Sequence, residues 1–181
     1  MIYVFLANGF EEVEAVTPID CLRRAGKKVT TVGVGGKTIV GAHQIPVTAD
    51  ITEEEFTADE TLEMVILPGG MPGTLNLGQS ETVQNALQYA ADHGKWIAAI
   101  CAAPSVLGKM GLLQGKRAVC YPGFEKELKG AKNGYDTVCT DGKIITSKGP
   151  GTAMEFSLKL VECLLSRDVR KKMAEAMIVK K

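Results

Sequence analysis

Cys101 lies in the stretch IAAICAAPSVL, residues 97–107, between an apolar run of strand length and a helix-like segment. A thiol at a strand-to-helix turn faces the start of the following helix, where unpaired N–H groups and the helix dipole favour an anion. Thiolates so placed have pKa values well below the roughly 8.5 of free cysteine, and the thiolate is the attacking form. The N–H of Ala102, directly after the thiol, is placed to face an oxyanion, as at other nucleophile elbows. Gly69 and Gly70 end another apolar run, and Gly70, lacking a Cβ, allows a second backbone N–H to come close.

Three acids, Glu11, Glu12 and Glu14, follow the first apolar run. A carboxyl group beside a thiolate in a crevice has its ionisation disfavoured by desolvation and by the neighbouring negative charge. Held protonated, it can donate a hydrogen bond to sulfur and later shuttle a proton. Pattern alone leaves blander readings open. AAIC also reads as core strand with a buried thiol, and the acids as a first helical turn stabilised by the dipole.

The elements that must position these residues follow from periodicity and punctuation. Apolar runs at Ile2–Leu6, Val29–Val34, Met64–Leu67, Trp96–Ile100 and Arg117–Tyr121 predict strands. Helical patterns cover Glu12–Ala25, Glu81–His93, Pro104–Met110, Thr152–Leu165 and Asp168–Ile178. The first of these stops at Gly26 and is expected to kink at Pro18. Thr38–Val40 with Gln44–Thr48 reads as a small β-hairpin, and Asp141-Gly142 as the turn of a second hairpin. Short apolar strands alternating with amphipathic helices predict a doubly wound α/β fold: a mainly parallel sheet, covered on both faces in a three-layer sandwich, with a hairpin appendage. Sites in this class lie outside the carboxyl ends of the strands. Residues 8–14, Gly69-Gly70 and Cys101 all follow such ends and converge in one crevice on this reading.

Bulk properties bound the function. The 181 residues carry equal numbers of acidic and basic side chains, so nucleic acid has no electrostatic footprint to bind. No repeat or linker divides the chain, which reads as a single domain over residues 1–181. The N-terminal apolar run is short, lacks preceding basic residues and meets acids at once, unlike a signal peptide. The longest apolar run, Trp96–Leu107, is too short to span a bilayer. A cytoplasmic protein with no membrane partner is expected. Five cysteines at irregular spacing and two distant histidines, His43 and His93, suggest neither a disulfide framework nor a metal site. Cys21, Cys139 and Cys163 read as small buried hydrophobes.

Four motifs, NGFEEVEAVTPIDCLRRAG, VILPGGMPG, AAICAAPSVL and SKGPGTAMEFSLKLVE, occur in this order across most of the chain. Together they resemble the ThiJ/PfpI superfamily, within it the branch of the Parkinson-linked protein DJ-1 and its bacterial relatives. The resemblance implies a flavodoxin-like fold, a homodimer and no cofactor. It makes Cys101 the reactive cysteine on a strained elbow and Glu14, rather than Glu11 or Glu12, its protonated partner. Gly70 and Ala102 would supply N–H groups around a bound oxyanion, with Gly69 beside them. The turn Gly149-Pro150-Gly151-Thr152 would close the pocket, bringing Gly151 to the substrate.

Two departures narrow the activity. Protease-like relatives carry histidine directly after the cysteine, where this chain has Ala102, so peptidase chemistry loses its adjacent dyad. A histidine before proline on the later strand is replaced by Tyr121 before Pro122, leaving either a substrate-binding hydroxyl or plain packing. The resemblance implies an enzyme acting on a small aldehyde or glycated substrate, of the glutathione-independent glyoxalase or deglycase type. The alternative is an oxidative-stress or chaperone-like protein whose cysteine is oxidised to sulfinic acid. A role in thiazole biosynthesis, also associated with the superfamily, finds no supporting site among these residues.

Overall fold

The computed structural model describes residues 1–179. In chain order its elements are β1 (Ile2–Ala7), α1 (Glu12–Arg24), β2 (Val29–Val34), β3 (Thr38–Val40), β4 (Pro46–Thr48), β5 (Ile51–Thr52) and β6 (Met64–Leu67). There follow α2 (Gly73–Gln79), α3 (Glu81–Asp92), β7 (Trp96–Ile100), α4 (Pro104–Lys109), β8 (Arg117–Ala118) and β9 (Lys132–Asn133). The chain ends with β10 (Val138–Asp141), β11 (Ile144–Ser147), α5 (Ala153–Leu164) and α6 (Arg167–Ala176).

Seven strands form one sheet in the order β10-β11-β7-β6-β1-β2-β5. All pairings are parallel except the β10–β11 hairpin at one edge. Period-2 alternation sorts the side chains of the central strands onto two faces. Ile2, Val4, Leu6, Met64, Ile66, Ala98 and Ile100 pack with α1, α5 and α6 through residues such as Leu22, Phe156 and Met173. Phe5, Ala7, Val65, Leu67, Ile97 and Ala99 pack on the other face with Leu77, Leu87 and Leu107 of α2, α3 and α4. Strands buried on both faces must be apolar throughout, which is why β1, β6 and β7 lack polar alternation. The result is the expected three-layer, mostly parallel α/β sandwich.

Sheet order reverses at β1: the chain moves outward to β2 and β5, then returns to β6 and β7 on the opposite side. The topological switch point therefore lies between β1 and β6, where a crevice opens at the carboxyl ends of the strands. The helix α1 leaves β1 at this point and ends in a Schellman arrangement. Gly26 sits at φ 76°, and Lys27 N–H donates to the Leu22 carbonyl at 3.0 Å. The helix continues through Pro18, whose missing N–H leaves the carbonyl of Glu14 without its usual intrahelical donor.

Several local expectations are corrected. The run Arg117–Tyr121 is not a sheet strand: only Arg117–Ala118 is extended in a ladder, pairing with Lys132–Asn133 in a separate two-stranded sheet. Beyond it, single bonds replace the ladder, with Val119 N–H donating to Thr146 Oγ1 at 2.9 Å and Tyr121 N–H to the Cys101 carbonyl at 2.8 Å. Pro122 next in sequence cannot extend pairing. The helix α2 was not legible because its seven residues contain Gly73 and Gly78, poor helix formers. Asp141 pairs with Ile144, so the hairpin loop is Gly142-Lys143, one residue later than the dipeptide suggests, with Gly142 at φ 59°. The hairpin Thr38–Val40 with Pro46–Thr48 forms its own small sheet, as the sequence implies.

Candidate active site

Cys101 follows the last residue of β7 and has φ 65°, in the left-handed region that residues other than glycine seldom enter. Such a conformation costs on the order of 1–3 kcal/mol and persists only when its surroundings enforce it. Here both backbone groups are tied down. Cys101 N–H donates to the Ser147 carbonyl at 3.0 Å on β11, and the Cys101 carbonyl accepts from Tyr121 N–H. The elbow turns the side chain out of the sheet toward the crevice, where it is partly exposed.

Glu14, in the first turns of α1, points the other way: it is 0% exposed. Its Oε2 accepts the Gly69 N–H at 2.8 Å, and its buried Oε1 has no conventional hydrogen-bond partner. The carboxyl's remaining side-chain partner is the Cys101 thiol. Gly69 is the wedge between them. A Cβ there would stand 2.6 Å from Cys101 Cβ and 2.7 Å from Glu14 Oε2. Gly70 is required for a different reason, combining φ 89° with backbone contact. A Cβ would meet Glu11 N at 2.4 Å and the Gly9 carbonyl oxygen at 2.5 Å.

The electrostatics follow from this packing. Burial pushes Glu14 up to about 7, against the Gly69 N–H and the Cys101 thiol, with the Glu11 charge adding to the rise. Burial, then the Glu14 carboxylate, push Cys101 up to about 12. The backbone N–H groups of Gly70 and Ala102 hydrogen-bond the sulfur and pull the other way. The expectation that the helix start alone yields a low-pKa thiol is therefore corrected. In α4 the helix is six residues long, and desolvation together with the adjacent carboxylate outweighs it. The pair titrates as a unit, holding one shared proton and one negative charge between about pH 7 and pH 12. Glu14 being the lower of the two, the main form keeps the proton on sulfur, and the Gly70 and Ala102 N–H groups support the minor form with the charge on sulfur and the proton on Glu14.

The remaining residues singled out from the sequence divide. Gly69, Gly70 and Ala102 converge on the pair. Tyr121 reaches it through its backbone, while its ring, 47% exposed, lies against Gly149. Gly151 is exposed in the short turn before α5, and a Cβ there would meet nothing within 4 Å. His93 stacks on Tyr89 at the end of α3, away from the crevice. His43, in contrast, is carried by the β3–β4 hairpin to the mouth of the site. Its Nδ1 lies 2.9 Å from Glu12 Oε2 and 3.6 Å from Glu11 Oε2. Burial works to raise Glu12, but the His43 side chain and backbone N–H groups outweigh it and hold that carboxyl low. The Glu12 hydrogen bond, then the Glu11 charge, raise His43. Ligand atoms of Glu11, Glu12 and His43 lie within 4.8 Å of one another. The ion pair accounts for that proximity without a metal. Nothing in the local sequence around His43 signals this contact, which depends on the hairpin folding back over α1.

A model of the DJ-1/PfpI family matches residues 1–163. The chain belongs to that family. It is 39% identical over 179 residues to the Drosophila melanogaster protein dj-1beta, covering 97% of this chain and 95% of the relative. It is 34% identical over 158 residues to the Caenorhabditis elegans protein called glutathione-independent glyoxalase DJR-1.2, covering 85% and 82%. The solved structure of oxidized DJ-1 from Toxoplasma gondii superposes with a TM-score of 0.92 at 38% identity, covering 99% of this chain and 98% of that one. Family membership and fold thus agree with the four sequence motifs. Among the described residues no helix is long and apolar enough to cross a membrane.

Proposed function

We propose that the protein is a glutathione-independent glyoxalase that converts small α-oxoaldehydes such as methylglyoxal to hydroxy acids, with Cys101 as nucleophile and Glu14 as proton carrier. The observation that carries this reading is geometric: a strained elbow sets the Cys101 sulfur beside the fully buried Glu14 carboxyl, with only Gly69 between them. The Cys101 thiolate adds to the aldehyde carbon, and Glu14 gives its proton to the new alkoxide, making a hemithioacetal. The Glu14 carboxylate then takes the proton from that carbon, leaving an enediolate, and returns it to the adjacent carbon while the hydroxyl proton passes to the neighbouring oxygen, which leaves a 2-hydroxyacyl thioester. Water cleaves the thioester, its oxygen going to the acyl carbon and one proton to Glu14, which releases the hydroxy acid and restores the Cys101 thiolate and protonated Glu14, so the net change is addition of one water to the oxoaldehyde. The N–H groups of Gly70 and Ala102, which rest on sulfur, are within reach of the adduct oxygen. A glycated substrate engages the same nucleophile. No step uses Tyr121 or Gly151, and no cofactor takes part.

Loss of methylglyoxal and formation of lactate by wild type, Cys101→Ser and Glu14→Gln test the reading. The reading expects turnover in wild type and a drop of about 100-fold or more in each variant; equal rates in wild type and Cys101→Ser would sink it.

A second reading draws on the T. gondii relative solved in an oxidized form. In it, Cys101 is taken to sulfinic acid by peroxide, the added oxygens accepting from Gly70, Ala102 and protonated Glu14. Peptide mapping after mild peroxide, with Cys101 oxidised before the other cysteines, separates this role when carbonyl turnover is absent. The chain is further proposed to act as a cytoplasmic homodimer. Exposed Val13, Val16, Ile45 and Met71 around the mouth of the site supply apolar surface for a second copy.

A further inference from the structure

Away from the elbow, three sulfur atoms meet among the helices on the α1–α5–α6 face of the sheet. Cys21 of α1 places its Sγ 3.9 Å from the Sδ of Met154 on α5 and 3.9 Å from the Sδ of Met177, just past α6. We propose that this trio is a binding site for a soft monovalent metal ion, Cu(I).

Donor chemistry points to the ion. A thiolate and two thioethers are the ligands that select Cu(I) among first-row metals, whereas hard ions require oxygen. Spacing agrees. Bonds of the length sulfur makes to zinc, about 2.3 Å, hold the donors of a planar three-coordinate site about 4 Å apart. Cys21 keeps that distance from each methionine. Three different helical segments supply the donors, so the site is built by the tertiary fold rather than by one local motif.

Charge selects monovalent over divalent. Cys21 is 0% exposed, and a net charge left there would be poorly solvated. Binding exchanges the thiol proton for the ion: Cys21–SH and Cu(I) become Cys21–S–Cu(I) and a released proton, with no change of oxidation state. The centre stays neutral. A divalent ion on the same donors would leave one uncompensated positive charge, and the adjacent carboxylate, Asp20, is already engaged by Arg24 at 2.7 Å. Access is provided from the side. Met154 and Met177 are partly exposed, and Met177 lines a groove of about 500 Å³ together with Arg24, Lys172 and Met173. The basic residues on this groove suit an ion that arrives as an anionic thiolate complex.

The test is an anaerobic competition titration of the full chain with Cu(I) buffered by bathocuproine disulfonate. Wild type and Cys101→Ser are each expected to withdraw one equivalent, with an X-ray absorption spectrum of three sulfur ligands. Changes outside the ligand shell already cost about ten-fold in metal affinity, so removing a ligand in Met177→Leu or Met154→Leu is expected to cost more. Cys21→Ser should bind none. Circular dichroism melting checks that each variant is folded, and the near-isosteric Met177→Leu carries the test if Cys21→Ser is not. Three results overturn the proposal: no withdrawal by wild type, as plain sulfur packing predicts; loss of binding in Cys101→Ser; or wild-type affinity in folded Met177→Leu.

Discussion

Replacing Glu14 by glutamine keeps the side chain's shape and removes its titration. In the folded protein the carboxyl is raised from 4.5 to about 7, chiefly by burial. The native state therefore holds this proton more tightly than the unfolded chain does. That preference is in full force below pH 4.5 and is lost as pH rises through about 7. Over this window wild type should lose about 3 kcal/mol, at roughly 1.4 kcal/mol per pKa unit. Glutamine can still accept the Gly69 N–H but has no proton to lose, so Glu14→Gln should lack this slope. Urea unfolding at a series of pH values and fixed protein concentration measures the difference. His43 titrates in the same range, but it is present in both proteins and cancels from the comparison. Expected is a stability gain of the variant over wild type that grows by about 3 kcal/mol from pH 4.5 to just above 7. Parallel curves would mean that Glu14 ionises in the fold at no cost, and the shared-proton argument would fail.

Three further outcomes follow from the same geometry. Since the active pair carries one negative charge, kcat/KM for methylglyoxal should rise with pH to a plateau through an inflection near 7 that is absent from the residual activity of Glu14→Gln; a wild-type profile flat from about pH 5 to 9 contradicts this. Gly69→Ala drives a methyl group against both Cys101 and Glu14, so it should lower kcat/KM at least about ten-fold and cost about 2 kcal/mol in urea unfolding; an activity like that of wild type would show the wedge to be unnecessary. His43 is raised by Glu12, so its contribution is complete below the unfolded value of 6.5 and fades as pH increases. Thermal melts should accordingly show His43→Ala more destabilised relative to wild type at about pH 5.5 than at pH 8, and the reverse order would refute the Glu12–His43 latch.

Much of the architecture could be read in advance because burial on both faces forces β1, β6 and β7 to be continuously apolar. Gly26 likewise terminates α1 through a local, position-specific requirement. The same logic made Cys101 and Gly70 legible: each sits where a strand ends, and the crevice rule gathers strand ends together. What resisted reading was long-range. That Gly69, rather than Gly70, lies between sulfur and carboxyl depends on how β6 aligns with β7. That His43 reaches Glu12 depends on the hairpin's fold over α1, and no spacing in the chain encodes that contact. The direction of the Cys101 shift is hidden from the sequence because helix starts are visible there while desolvation is not. The α2 helix and the departure of Val119–Tyr121 from the sheet were hidden by glycines and by bonds to Thr146 and Cys101 that form only in the assembled fold.

The account turns on a bond between the Cys101 sulfur and an aldehyde carbon that Glu14 must then process. Carbon-13 NMR of Glu14→Gln mixed with methylglyoxal labelled at its aldehyde carbon reads that bond directly. The predicted result is a hemithioacetal carbon signal that persists without lactate, is missing in the double variant Cys101→Ser/Glu14→Gln, and in wild type gives way to lactate. The contradicting result is the same signal in the double variant, or lactate formed by Glu14→Gln at the wild-type rate.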